Sequence, residues 1–439
     1  MATMGVGKLK GLDALGRGRM VAKSRQLSLA GIAVVAGILW ALGSSGVRAE
    51  DWPNWRGPNH NGISCETGWD VNKLKNGPSF LWRKQIGTGF ASVAVSDGRV
   101  YALGNTAKQE GKSDQEQKDI LWCFDAKTGV EIWKHTYSCL LEPKSHEGGP
   151  SATPTVEAGK VYILSKQGHV FCLDAKSGAV VWQKHLTNDY GVKPHEWGFS
   201  GSPIIVDDLI VLNAGTHGLA LRKQDGGLAW VNEKGASGYS SAVPYEQQGK
   251  KCVAILGNKE VYGVVAATGQ VLWMQPWKTM YDESIPDAVI VGDRLFMSSG
   301  LGTGAALFQI ETNKLVQIWS HKEMQNWLST SILWQGHLYG VDTKDGALKC
   351  LDFQTGAVKW AQEGLGVGSV ALAGGKLIAL SDKGRLTIAP ASPTGYTELA
   401  AAQILVGKCW TVPVLADGRI YARNADGELV CVDVSGVGR

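Results

Sequence analysis

A chain of 439 residues is long enough for two or three ordinary domains, or for one large domain built from repeats, and 44% apolar residues allow a substantial core. Its 57 glycines and 17 tryptophans point to many tight turns, each followed by an aromatic anchor, which excludes a disordered chain. The formal charge of +4 originates at the amino terminus: residues 1–49 hold seven Lys/Arg and one Asp, leaving 37 basic and 39 acidic groups, so nucleic acid is not an expected partner.

In chain order the first element is a leader. Lys8, Lys10, Arg17, Arg19, Lys23 and Arg25 precede an apolar run from Leu27 to Leu42, and Val47-Arg48-Ala49 supplies small residues where a signal peptidase cuts. The alternative, a membrane anchor, needs about 20 apolar residues. This run has 16 and is interrupted by Gly31 and Gly37. The reading is therefore a secretory signal peptide over 1–49, cleaved before Glu50, with no membrane anchor afterwards. Residues 50–77, rich in turn formers, read as an extension that packs on the main body, because Trp52 and Trp55 would otherwise be exposed.

From residue 78 onward one unit recurs. "DAKTGVEIW" ends at Trp133, "DAKSGAVVW" at Trp182, "DGGLAW" at Trp230, "AATGQVLW" at Trp273, "ETNKLVQIW" at Trp319 and "DFQTGAVKW" at Trp360. A degenerate copy ends at Leu399, and Trp82 in "FLWRK" stands alone. These anchors are 39 to 51 residues apart, the period of propeller blades with four strands each. Within residues 151–182, four short β-rich runs are separated by "EAGK", "KQGH" and "AKSG", each holding a Gly where a hairpin turns. The Asp before the T/S-G turn is placed to accept from the turn's amides, and the Trp after it to pack on a neighbouring blade. The last repeat lacks a fourth strand, and the orphan strand from Phe80 to Ile86 is expected to complete it and so remove an open edge. The fold expected over 78–439 is all-β: an eight-bladed propeller of four-stranded antiparallel blades, closed by an N-terminal strand.

Eight cysteines in an exported chain raise the question of disulfides. Cys123, Cys172, Cys350 and Cys431 occupy one equivalent position in four repeats, two residues before an Asp, and read as buried apolar residues. Cys65, Cys139, Cys252 and Cys409 follow no pattern, and one pair among them has room to close.

The "D-x-x-T-G-x-x-x-W" units resemble the tryptophan-docking repeats of quinoprotein alcohol dehydrogenases and of the propeller lipoprotein of outer-membrane protein assembly. With "DWPNWRGPNHNGIS" (51–64), "GPSFLW" and "VAVSDGRVYALG", the chain is similar to the exported bacterial pyrroloquinoline-quinone-repeat-like propellers, some of which are called polyvinyl-alcohol dehydrogenases. The resemblance covers residues 51–434. It implies an axial site built by the loops that lead into the innermost strands. Aligning those loops brings Phe90, His146, Glu147, Trp197, Tyr239, Asp287, Trp327 and Trp410 to one funnel as ligand-binding residues, aromatic walls suited to a flat or chain-like ligand.

Each also has a structural reading: the tryptophans as packing, His146 as an ordinary loop histidine, Glu147 and Asp287 as solvated carboxylates. The resemblance allows pyrroloquinoline quinone with Ca²⁺ as cofactor without requiring it. The adjacent cysteines that form one wall of the quinone site in those dehydrogenases are missing, as are a haem motif and a compact Glu…Asn…Asp cation set. An assembly lipoprotein needs a Cys directly after its signal peptide, where this chain has Glu50. No metal site and no catalytic residue is assigned. The function expected is a soluble, monomeric binding or interaction scaffold, periplasmic or secreted, that engages a partner protein or extended ligand at its axial face. The alternative is a quinoprotein oxidoreductase acting on alcohols or polyols.

Overall fold

The computed structural model describes residues 49–107 and 116–436; the leader lies outside them. Among these residues the strands form eight sheets, one per repeat. Blades 1 to 7 occupy residues 94–138, 155–185, 204–231, 243–276, 289–321, 332–362 and 369–403. Blade 8 takes three strands from residues 414–433 and its outermost strand from Phe80–Gln85, which pairs antiparallel with Glu428–Asp433. The ring is thus closed by the N-terminal strand, and no helix among the described residues is long and apolar enough to cross a membrane.

The repeat motif explains how blades adhere. Each anchor Trp lies on the outermost strand, directly after a β-bulge. The extra residue re-aims the side chain, so that the indole leaves its own sheet and covers the turn of the next blade. Trp133 donates its N–H to the carbonyl of Ala175 at 3.1 Å, Trp182 to Lys223, Trp230 to Ala266, Trp319 to Phe353, Trp360 to Ser392, and Trp82 of blade 8 to Ala126 of blade 1. Gly129 shows why the turn needs glycine: its φ is +68°, and a Cβ there would meet the Trp82 ring at 2.6 Å. The Asp before the turn accepts from its amides, as Asp125 does from Lys127 and Thr128.

Opposite the Trp on the neighbouring strand stands a smaller residue: Cys123, Cys172, Cys350 and Cys431 face Trp133, Trp182, Trp360 and Trp82. All four cysteines are buried and all eight thiols are free, including Cys65, Cys139, Cys252 and Cys409. A tyrosine completes the row in the same blades; Tyr101 and Trp133, for instance, stand 5.9 Å apart.

Two blade junctions depart from the rule. Blade 5 turns through "ETNK", which has no glycine to receive an indole. There Trp273 donates instead to the Gln247 side chain of its own blade at 3.0 Å, and Gln247 donates onward to the carbonyls of Glu311 and Thr312 in blade 5. Replacing Gln247 by Leu should lower stability by about 1–3 kcal/mol, the cost of orphaning buried partners; an unchanged urea midpoint would show that the relay contributes nothing.

Blade 8 has no turn at all for blade 7 to cover, because its third and fourth strands come from opposite ends of the chain. The docking position of blade 7 is occupied by Ala400, one residue beyond the Leu399 expected from the repeat. Trp69 and Leu74 of the extension fill the space, packed with Ala400, Val430 and Val432. Lys73 pairs with Asp433 at 2.6 Å.

Residues 52–64 enter the axis of the ring. The innermost strand of each blade carries backbone groups with no sheet partner on the axial side. The inserted loop bonds several of them: Trp52 exchanges both backbone bonds with Val95 of blade 1, Pro53 accepts from Val156 of blade 2, and Arg56 donates to the Ser331 carbonyl of blade 6. On the return limb Ile63 and Ser64 pair in parallel with Leu372 and Ala373, which gives blade 7 a fifth strand. Trp52 is only 2% exposed. The segment is a plug.

Candidate functional site

Six blades carry a polar residue two positions before the innermost strand: Ser92, Thr153, Ser202, Ser241, Asp287 and Thr330. Here the amide of one blade's residue donates to the side chain of the next: Ser92 to Thr153 (3.1 Å), Thr153 to Ser202 (2.9 Å), Ser202 to Ser241 (2.9 Å), Ser241 to Asp287 (2.8 Å) and Asp287 to Thr330 (2.9 Å). Hydroxyl-to-carbonyl bonds complete the circle, from Ser329 to Gly368, Ser369 to Thr411 and Ser92 to Val412. This belt satisfies buried backbone groups where the loops converge, and it holds those loops in a fixed arrangement around the axis.

Above the belt lies a cavity of about 560 Å³, floored by Trp55 of the plug and lined by loops from seven of the eight blades. Phe90, His146, Trp197, Tyr239, Asp287, Trp327 and Trp410 all line it. The aromatic rings form an arc. Trp410 stacks on Phe90 at 5.4 Å, His146 meets Phe90 edge-on at 5.2 Å and stands 5.9 Å from Trp197, and Trp327 is 6.3 Å from Trp410. Glu147 is turned to the rim, where it pairs with Lys408 at 2.9 Å and ties blade 2's loop to blade 8's.

Charge divides these residues into structural and available groups. Asp287 occupies the belt position that Ser or Thr fills elsewhere, and its two oxygens are taken by the Ser241 amide and the Trp55 indole (2.6 Å). Arg56 of the plug is the cation beside it. Burial pushes the Asp287 carboxyl up, and Arg56 opposes that. Asp287 thus locks the plug to the belt. His146 is held down to about 4 by burial and by Lys166 nearby, and its Nδ1 accepts from the Gly148 amide, so it is a neutral imidazole.

Glu283, in the same loop as Asp287, has no mark in the loop alignment, yet it lines the cavity. Burial raises its carboxyl to about 7, tempered by the Trp327 indole and reinforced by Glu196. Trp55, Tyr281 and Glu196 are further lining residues that the loop alignment does not single out. Trp55 and Tyr281 belong to segments outside the repeat, so periodicity carries no signal for them.

The donor set is a poor match for pyrroloquinoline quinone and a hard cation. That quinone is a polyanion needing cationic donors, and no Lys or Arg lines the cavity, while Lys408 and Lys144 at the rim are engaged by Glu147 and by the Glu196 carbonyl. A Ca²⁺ ion takes six to eight oxygens, and among the described residues no group of three or more His, Cys, Asp or Glu side chains is gathered to hold a metal.

Known proteins share this architecture. BamB from Moraxella catarrhalis superposes with a TM-score of 0.60 at 15% identity, over 81% of this chain and 99% of that one. Quinohemoprotein alcohol dehydrogenase from Comamonas testosteroni gives 0.62 at 12% identity, over 90% and 82%. A europium-containing methanol dehydrogenase gives 0.53 at 10% identity, over 88% and 98%. At these identities the likeness is one of fold. No curated protein sequence matches the chain. Residues 117–362, from the third strand of blade 1 to the end of blade 6 and more than half the chain, match the family model described as outer membrane protein assembly factor BamB, and the protein belongs to that family of quinone-repeat propellers.

Proposed function

We propose that the protein is an exported binding propeller, a rigid eight-bladed frame whose axial cavity recognises a ligand or the side chains of a partner. The observation that carries this reading is the cavity itself: pre-formed, apolar-walled, floored by the plug and open at the axial face, the usual form of a small-molecule site. Phe90, His146, Trp197, Tyr239, Trp327 and Trp410 are its contact residues, with Asp287 and Glu147 holding the floor and the rim. The same proposal includes a leader over 1–49, an extension over 50–77, the propeller over 78–439, and a monomer in the periplasm or medium; sequencing the exported protein should find Glu50 first. Oxidoreduction through pyrroloquinoline quinone is the second reading, supported by fold neighbours described as quinohemoprotein and methanol dehydrogenases.

The test is titration of the purified mature chain, followed by indole fluorescence and calorimetry. Compact aromatic ligands should bind saturably, and Trp327→Ala should weaken them at least tenfold. Pyrroloquinoline quinone should give no heat with or without Ca²⁺. Micromolar, Ca²⁺-dependent quinone binding would instead establish the dehydrogenase reading.

A further inference from the structure

We propose that the ligand of the axial cavity is a hydrophobic organic cation, a quaternary or protonated amine on an apolar body, with Glu283 as its counter-charge. This rests on the cavity being a binding site. It goes further by assigning the ligand's charge.

The lining contains three acidic side chains, Glu196, Glu283 and Asp287, and no basic one besides the neutral His146. Asp287 is consumed by the belt, the plug and Arg56, which leaves Glu283 as the half-buried carboxylate facing the space. Trp327, Tyr239, Tyr281 and Trp55 line the same cavity. A carboxylate among aromatic faces attracts a cation twice, through its charge and through the ring quadrupoles, and the attraction grows where water is excluded. The same chemistry already operates at the rim, where the Lys408 ammonium sits 4.3 Å from the Trp410 ring centre and Lys144 5.5 Å from that of Trp197. An anion would gain none of this and would meet Glu283 directly. A neutral ligand would gain the apolar walls but leave the carboxylate desolvated without compensation.

The groups facing Glu283 are few. Glu196 repels it, and the Trp327 indole supports its charged form. Tyr239 has its hydroxyl raised to about 12 by burial and is neutral throughout the working range. His195 is lowered by burial, and Asp282, the adjacent residue, pairs with Lys259 at 3.3 Å. The Glu283 proton is therefore the one whose loss near neutrality changes the charge of the cavity wall. Cation affinity should be full above pH 8 and decline as the pH falls through about 7.

Three probes of one shape but different charge decide the matter: phenyltrimethylammonium, tert-butylbenzene and benzenesulfonate, titrated against the mature chain between pH 5.5 and 8.5. At pH 8.5 the cation should bind at least tenfold more tightly than the neutral isostere, and the anion should not bind detectably. The preference should shrink at least fivefold by pH 5.5. Glu283→Gln should abolish both the preference and its pH dependence, with tert-butylbenzene binding at least as tightly as to the wild type because no carboxylate is left to desolvate. The wild-type pH series needs no variant and decides the point even if Glu283→Gln folds poorly. Equal binding of cation and neutral probe at every pH would overturn the cation inference while leaving the cavity as a binding site. Failure of all three probes would overturn both readings.

Discussion

Trp82→Ala should cost about 3–5 kcal/mol of folding stability, as large-to-small core truncations of aromatics do, and it should be the most damaging of the docking-tryptophan substitutions. Trp82 lies on the strand that reaches from the amino terminus to complete blade 8, and its indole covers the turn between the third and fourth strands of blade 1. It is 7% exposed, stands 5.8 Å from Tyr421 and 6.2 Å from Phe124, and donates to the Ala126 carbonyl. One side chain thus joins both ends of the chain to both ends of the ring. Trp360, half-buried between blades 6 and 7, makes the same hydrogen bond but closes nothing, so Trp360→Ala should cost less. Leu81, next to Trp82 but 42% exposed on the outer face, should tolerate Ala within about 0.5 kcal/mol. Urea midpoints of the three variants test the ranking; equal losses for Trp82 and Trp360 would show that ring closure adds nothing to docking.

Asp287→Ala should cost about 2–6 kcal/mol, because two buried donors lose their acceptor at about 1–3 kcal/mol each and the buried Arg56 cation loses the carboxylate that opposes the cost of its burial. Arg56 is buried in the plug, where its guanidinium donates to the carbonyls of His60, Asn61 and Ser331, and Asp287 is the carboxylate whose field supports its charge. Loss of Asp287 also removes the acceptors of the Trp55 indole and the Ser241 amide, so belt and plug should loosen together. Trypsin should then cut at Arg56 in the folded variant at least tenfold faster than in the wild type. Pairing Asp287→Leu with Arg56→Met should recover only the part of the loss that comes from the uncompensated charge, because the Trp55 indole and the Ser241 amide stay without an acceptor. A single Asp287→Ala variant with unchanged midpoint and unchanged cleavage would show that the plug is held by its backbone bonds alone.

These two predictions concern residues that the sequence exposes to different degrees. Trp82 is legible as an orphan of the repeat, and closure of blade 8 by its strand follows from counting strands. Asp287 is legible as a member of the funnel, but its structural role is visible only when its loop is placed beside "SGSP", "SSAVP" and "STS", whose Ser or Thr stands at the same distance from the strand. The belt uses that position for any acceptor, and in blade 5 the acceptor is a carboxylate. Glu283, four residues earlier, shows the reverse. Nothing local marks it, and its weakened acidity arises from burial that the neighbouring loops create.

By itself the sequence determined the eight repeats, the four-stranded blades, the docking tryptophans, the buried cysteines and the exchange of the first strand into the last blade. Each is a property of local periodicity and of turn chemistry repeated within about fifty residues. Only the tertiary structure decided that residues 52–64 enter the axis, that Gln247 stands between Trp273 and a turn without glycine, that Trp69 and Leu74 replace a missing docking tryptophan, and which carboxylate faces the cavity. Those outcomes depend on contacts between segments up to some 360 residues apart, as in the bond from Lys73 to Asp433. They follow from the need to satisfy the inner strands' backbone groups and to fill the space at irregular junctions, demands that arise only once the ring has closed.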